Sequence, residues 1–394
     1  MKKGYELVED DGKESSAGAA AVAKTATSPE LEAAIEADLD NPDAYLVYGD
    51  WLQAQGDPRG ELVALQHAVS TADGEKAKEL KKTEAALLKK LKPQLLGKIA
   101  KSEKVFKLTW ERGFLRAARI AFDYDFADDG GSMKDLTRIL LELPSARFLQ
   151  DLTFGIFDFE GENNYQQVID LLVKTGQPKT LRSLFLGDFD FPEECEMSWS
   201  HVGNTSKLYG AFPGLRRLVL QGGGEIALGD VVLPELRHFE LRSGGVKVKV
   251  VRSIAKARWP KLEHLEIWFG SRSYGADAGV KDIRSILDGE GLSNLKYLGL
   301  KNFEFAEELC RALPDAKVLK QLETLDLSMG TMDDGCAAIL AANKGAFEHL
   351  AVLNVNDNLM SKAVKKVLDG TARTVEFGKQ RSYGEGHRYA SVGE

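Results

Sequence analysis

Two short phrases of the chain carry residue types that could hold a metal ion. His238 and Glu240 stand in HFE, and His264 and Glu266 stand in HLE. Imidazole and carboxylate both ligate zinc-like ions, and two adjacent strands in register would gather all four side chains. The competing reading is a polar ladder of His–Glu hydrogen bonds. We adopt that one, and assign no metal ligand and no cofactor. A second cluster, Asp50, Asp57, Arg59 and Glu61, has the composition of an acid–base site. In so small a helical unit an arginine among acids serves as a corner brace, and Arg59 is expected to pair with Asp50 or Glu61.

Other reactive groups are sparse. Cys195, Cys310 and Cys336 lie far apart along the chain, which argues against a disulfide framework or a thiolate metal site. Buried packing in a reducing cytosol suits them. The chain lacks G-x-x-x-x-G-K-[ST], G-x-S-x-G and H-E-x-x-H. QGGGE at 221 and SGGVK at 243 are followed by acidic and β-rich segments. A phosphate cradle needs a helix start there, so both are expected to be tight turns. We expect no catalytic residue and no small-molecule substrate.

Charge narrows the partners. The net charge of −8 disfavours nucleic acid for the chain as a whole. Residues 75–104 are the exception, with ten Lys against four Glu. That segment could meet an acidic partner or a phosphate backbone. It has no arginine cluster and no interleaved aromatics, so a solvated lysine face is the simpler expectation. Leu80, Leu87, Leu88, Leu91, Leu95 and Leu96 would supply its apolar face, and Pro93 should end or kink the helix. No apolar window reaches the ~18 residues of a membrane span, and MKKGYELVEDDGKESS has no apolar signal core. The expected place is the cytoplasm.

The elements that must position these residues are set by a repeated phrase. FPGLRRLVLQGG at 212 places Leu215, Leu218 and Leu220 in the spacing L-x-x-L-x-L. LPELRHFELRSG, WPKLEHLEIWFG, LSNLKYLGLKNF, LKQLETLDLSMG and FEHLAVLNVNDN repeat it. First frame positions are Leu115, Leu149, Leu181, Leu215, Leu236, Leu262, Leu295, Leu322 and Leu350, with Ala372 opening a tenth strand. A fixed phrase at intervals of tens of residues marks a leucine-rich repeat. Frame positions 1, 4 and 6 should face the core, and one repeat cannot bury its face alone, so neighbours must stack. Helical returns are expected near 136–143, 168–173, 283–287, 305–313, 336–342 and 363–368. VKVKVVRSIAKAR at 246 should be a short strand and then a short helix. The expected fold class is α/β: a leucine-rich repeat solenoid, with a curved parallel sheet and a helical or irregular convex side, carrying an N-terminal all-helical cap.

Ahead of the repeats, residues 1–28 are expected to be a disordered tail and flexible linker, and 29–104 a helical domain. Within it, AYLVYGDWLQAQGDPRGELVALQ resembles the bacterial repeat-companion domain, through Tyr48, Asp50, Trp51, Leu52, Gly56, Asp57, Pro58, Arg59, Gly60 and Glu61. That resemblance implies an architecture and no chemistry. KKGYELVE resembles the end of a WGR domain. From 105 to 394, VGNTSKLYGAFPGLRRLVLQGG, LEHLEIWFGSRSYGADAG, LKYLGLKN, LDLSMGTMDDGC and RYASVGE resemble a poorly characterised bacterial leucine-rich repeat family, which implies no reaction.

Function then falls to the outward strand positions. Arg217, His238, Glu240, Arg242, His264, Glu266, Trp268, Tyr297, Lys301 and Asp326 should line a concave face. Both charge signs with Trp and Tyr make it a protein-binding surface. Two alternatives stand beside this. One is a regulator or substrate of a bacterial enzyme such as a protease, exposing the linker 11–28 or a loop in the 70s. The other is a nucleic-acid-binding accessory acting through Lys76 to Lys104.

Overall fold

The computed structural model describes residues 26–102, 104–122, 132–159, 161–382 and 388–394. The WGR-like phrase and most of the expected linker lie outside them. Ala26 already belongs to the folded body, because its carbonyl accepts from Arg59 Nη2 at 2.9 Å.

Four helices come first: α1 (Pro29–Ala37), α2 (Pro42–Ala54), α3 (Arg59–Thr71) and α4 (Gly74–Leu96). Pro29 opens α1 with Glu30 and Glu32 in its first turn, and Asn41 caps α2 by accepting from the Asp43 N–H. Ile35, Leu39, Tyr45, Tyr48 and Leu52 bury together. Pro93 sits inside α4 and does not stop it; the helix runs on to Leu96 and ends at Gly97. The loop in the 70s is only Ala72 and Asp73.

An eleven-stranded sheet follows, its strands in strict chain order. They are β1 (Phe106–Glu111), β2 (Phe114–Ile120), β3 (Asp151–Phe154), β4 (Ser183–Leu186), β5 (Arg217–Gln221), β6 (His238–Arg242), β7 (His264–Trp268), β8 (Tyr297–Lys301), β9 (Thr324–Asp326), β10 (Val352–Asn354) and β11 (Thr374–Glu376). From β2 onward every pairing is parallel. β1 is antiparallel to β2 and joined to it by Arg112 and Gly113, both at positive φ. Such a two-residue turn matches the twist of a hairpin.

The leucine frame explains the sheet. Leu215, Leu218 and Leu220 are fully buried, as are Leu236, Phe239 and Leu241 at β6 and just before it, and Leu262, Leu265 and Ile267 at β7 and just before it. Successive strands carry their leucines in register, so one apolar ladder runs through a single continuous core. Returns are helical at Met133–Leu141, Gln166–Thr175, Ala306–Ala312 and Asp334–Ala342, close to expectation. The last return, Lys362–Lys366, is a tighter 3-10 helix. The VKVKV segment corrects the expectation. Val248–Lys256 is a helix with no strand before it, because Val250, Val251, Ile254 and Ala255 bury at helical spacing. The three cysteines are free and buried, as expected; Cys310 and Cys336 sit on neighbouring return helices, and the Cys336 thiol beside it pushes Cys310 far above the usual thiol range.

Candidate functional site

The outward positions of β5 to β9 form a layered ladder. His238 and His264 are paired in register, and His264 pairs in turn with Tyr297. Their rings stack at 4.0 Å and 9°, then 4.0 Å and 6°. Two residues on, Glu240 faces Glu266. Like charges directly opposite repel, so each needs cations or donors of its own.

Glu240 has them. His238 Nε2 and Arg242 Nη2 make short contacts to it, Arg242 Nε donates at 2.7 Å, and Arg217 Nη2 stands 3.7 Å away. Burial alone would raise its pKa, but the His238 hydrogen bond and Arg242 overcome this and hold it at about 2. Glu266 accepts from Trp268 Nε1 at 2.6 Å and from the Tyr297 hydroxyl at 2.9 Å. Asp326 lies 3.0 Å from the same hydroxyl and accepts from Asn354 Nδ2 at 3.0 Å. Lys301 Nζ stands 3.5 Å from Glu266 and 3.6 Å from Asp326. Gly299 makes room for this layer: a Cβ there would stand 3.0 Å from Glu266 Cγ and 3.1 Å from Tyr297 Cε1.

Cations and rings alternate along the outer row. Arg217 and Arg242 lie over Phe185 at 5.8 and 5.6 Å, and Arg242 also lies 5.9 Å from Trp268. Lys301 Nζ stands 5.3 Å from Trp268 on the same row.

The expected residues therefore come together, but the freedom expected of them does not hold for the acids. Glu240, Glu266 and Asp326 are 4–6% exposed, satisfied by their neighbours and not open to a partner. Arg217, His238, Arg242, His264, Trp268, Tyr297 and Lys301 keep partial exposure. His238, Glu240 and His264 present ligand atoms within 4.8 Å of one another. Glu266 turns away to Trp268 and Tyr297. The set fits a metal poorly, since the two imidazoles stack face to face and Glu240 is already held by His238 and Arg242. Burial, then His238, lowers His264 to about 4, and its Nε2 has no hydrogen-bond partner.

Three features were not anticipated. The C-terminal segment returns across the ends of the strands. The Val392 N–H donates to Asn302 Oδ1 at 2.8 Å, and Asn302 Nδ2 donates back to Val392 O at 2.7 Å. Val392 packs in one cluster with Ile156, Phe189, Cys195 and Met197, and Trp268 packs against that cluster. Second, the tail's path passes an exposed aromatic. Met197 N–H donates to Glu394 O at 2.9 Å, and Tyr274 packs against Gly393. Tyr274, 43% exposed, therefore lies beside the chain end, and Trp199, 47% exposed, stands two residues after Met197. Third, Arg59 pairs with Asp57 at 2.6 Å, not with Asp50 or Glu61. It also donates to Pro144 O at 3.1 Å and lies over Phe114 at 5.4 Å. The corner brace is real but ties the helices to the first repeats.

Neither a protein-family model nor a curated protein matches the chain. The crystal structure of a Bacteroides fragilis protein, a structural-genomics target, is similar over 81% of this chain and 88% of its own, at 26% identity and TM-score 0.62. A TLR13–ssRNA13 complex covers 68% of this chain and 36% of its own at 16% identity, with TM-score 0.36. Listeria monocytogenes InlP covers 68% and 61% at 13% identity, with TM-score 0.26. No helix among the described residues is long and apolar enough to cross a membrane.

Proposed function

We propose that the chain is a leucine-rich repeat solenoid acting as a non-catalytic protein-binding scaffold, with residues 29–104 as its cap and 105–394 as the repeat body. The binding surface is the outward, concave face of β5 to β8 and the loop after β7. One observation carries this reading: Phe185, Arg242, Trp268 and Lys301 form a row of cation–ring contacts, in which Arg242 is held by Glu240 and Trp268 by Glu266. Rigid aromatics and arginine lose little entropy on binding and dominate interface hot spots. The buried acids act beneath this layer, orienting the cations that a partner would meet. Arg217, His238, Arg242, Trp268, Tyr297 and Lys301 are the contact residues, and Glu240, Glu266 and Asp326 position them. The partner is a protein, with no role for membrane or nucleic acid at this face.

The test is affinity capture from the native lysate, quantified by mass spectrometry, with the wild type and an Arg217→Ala/Tyr274→Ala pair. A partner held by the wild type should fall at least tenfold with the pair, while the thermal midpoint stays unchanged. Equal capture by both proteins removes this face from the account.

A further inference from the structure

The lysine-rich helix has a second feature that charge alone does not reveal. α4 runs beside β1, the first strand of the sheet, with no strand on the outer side of β1 among the described residues. Between them lies a groove of about 520 Å³. That volume falls within the ~300–1,000 Å³ of small-molecule sites. Its walls are Leu88 and Leu96 of α4, Ile99 beyond it, and Phe106, Leu108 and Trp110 of β1. Phe106, Leu108 and Trp110 are alternate residues and therefore point to one face of the strand. Leu88, Leu108 and Trp110 remain only half-buried, so the apolar core is open at this end.

Charge enters the groove from one side. Lys89 and Lys92, three residues apart on α4, lie on one face of the helix and form its rim. Lys107 of β1 is exposed on the opposite face of its strand and does not line the groove. The ligand is thus apolar along most of its length and anionic at one end. An extended peptide would have to bond the open edge of β1 through its main chain, whereas the groove itself is lined by the side chains of Leu, Ile, Phe and Trp with two lysines. An acyl chain needs no such bonds.

We propose that the α4–β1 groove binds a free long-chain carboxylate, with its acyl chain against Leu88, Phe106, Leu108 and Trp110 and its carboxylate at the Lys89 end. This site is remote from the partner face in sequence and in its strands, and does not depend on that reading.

Trp110 makes the test direct, because a bromine-bearing acyl chain quenches a touching indole. Dibromostearate would be titrated into the full chain below its micelle-forming concentration. Saturable quenching is expected, and it should largely vanish in Trp110→Phe. Lys89→Glu, on an exposed side chain that the fold does not need, should weaken binding about tenfold, or about 1.4 kcal/mol. The uncharged methyl ester should bind weaker by a similar factor. Absence of saturable quenching overturns the proposal. So does quenching undiminished in Trp110→Phe, or equal affinity for acid and ester. If an acidic amphipathic peptide shields Trp110 and the brominated acid does not quench it, the groove belongs to a protein segment and the proposal fails.

Discussion

The two faces of the same strands obey different rules. On β6 and β7 the inward residues are Phe239, Leu241, Leu265 and Ile267, all fully buried, as are Leu236 and Leu262 just before them. The outward ones are His238, Glu240, Arg242, His264, Glu266 and Trp268, linked by charge and hydrogen bonds. Inside, each side chain needs only to be apolar and of the right size, so one residue type serves nearly every repeat. Outside, each needs a particular neighbour on the next strand. The inward ladder therefore makes a fold, and the outward ladder makes a surface that differs from strand to strand.

Substitutions can break that contrast in order of size. Leu265→Ala should cost about 3 kcal/mol, since it leaves a cavity in the continuous core. Urea denaturation measures it, and a loss under about 1 kcal/mol would mean the repeats are loosely packed.

Acid should strike the outer layer next. Glu240 is held at about 2 against an ordinary 4.5, so its contribution is complete above pH 4.5 and lost as pH falls through 2. His264 is held at about 4 against 6.5, so the unfolded chain takes up its proton first, and stability is lost as pH falls from 6.5 to 4. The combined loss should be on the order of 2 kcal/mol or more. His264→Phe should flatten the upper window and Glu240→Gln the lower one. Melting curves from about pH 7 to about pH 2.5 read both, and unchanged slopes would dissolve the ladder as described.

Gly299→Ala should be milder. The added methyl presses on Glu266 and Tyr297 and should cost roughly 1–2 kcal/mol. A stabilised protein would show that the layer has slack. The smallest effect belongs to Trp199→Ala, which should shift stability by less than about 0.5 kcal/mol, because that ring packs little at the surface.

The inward face was legible in the sequence almost completely. A leucine at frame positions 1, 4 and 6 has one use wherever it occurs, so the frame from Leu115 to Leu353 needs no knowledge of neighbours. Phe154, Phe239, Ile267 and Val355 replace leucine there and bury just as fully. The outward residues were identifiable by type and position, but not by availability. Whether Glu266 is free depends on Tyr297, Trp268 and Lys301, which approach only when β7 and β8 align. Cys310 and Cys336 look remote because sequence distance hides a one-repeat stacking distance. Asp57 was the partner of Arg59, two residues away, because the chain turns sharply between α2 and α3. The return of RYASVGE to Asn302 and Met197 has no periodic signal at all. VKVKV misled because its alternation is short, and the helical face is set by Val251, Ile254 and Ala255 beyond it.

The central claim is that partner contact lies on the outward face of β5 to β8. Hydrogen–deuterium exchange on the chain, alone and with the captured partner, tests it most directly. We predict new protection in peptides covering 197–201, 217–221, 238–242 and 264–275, with the return helices 306–312 and 334–342 unchanged. Protection confined to those helices, or to 74–110, would contradict it.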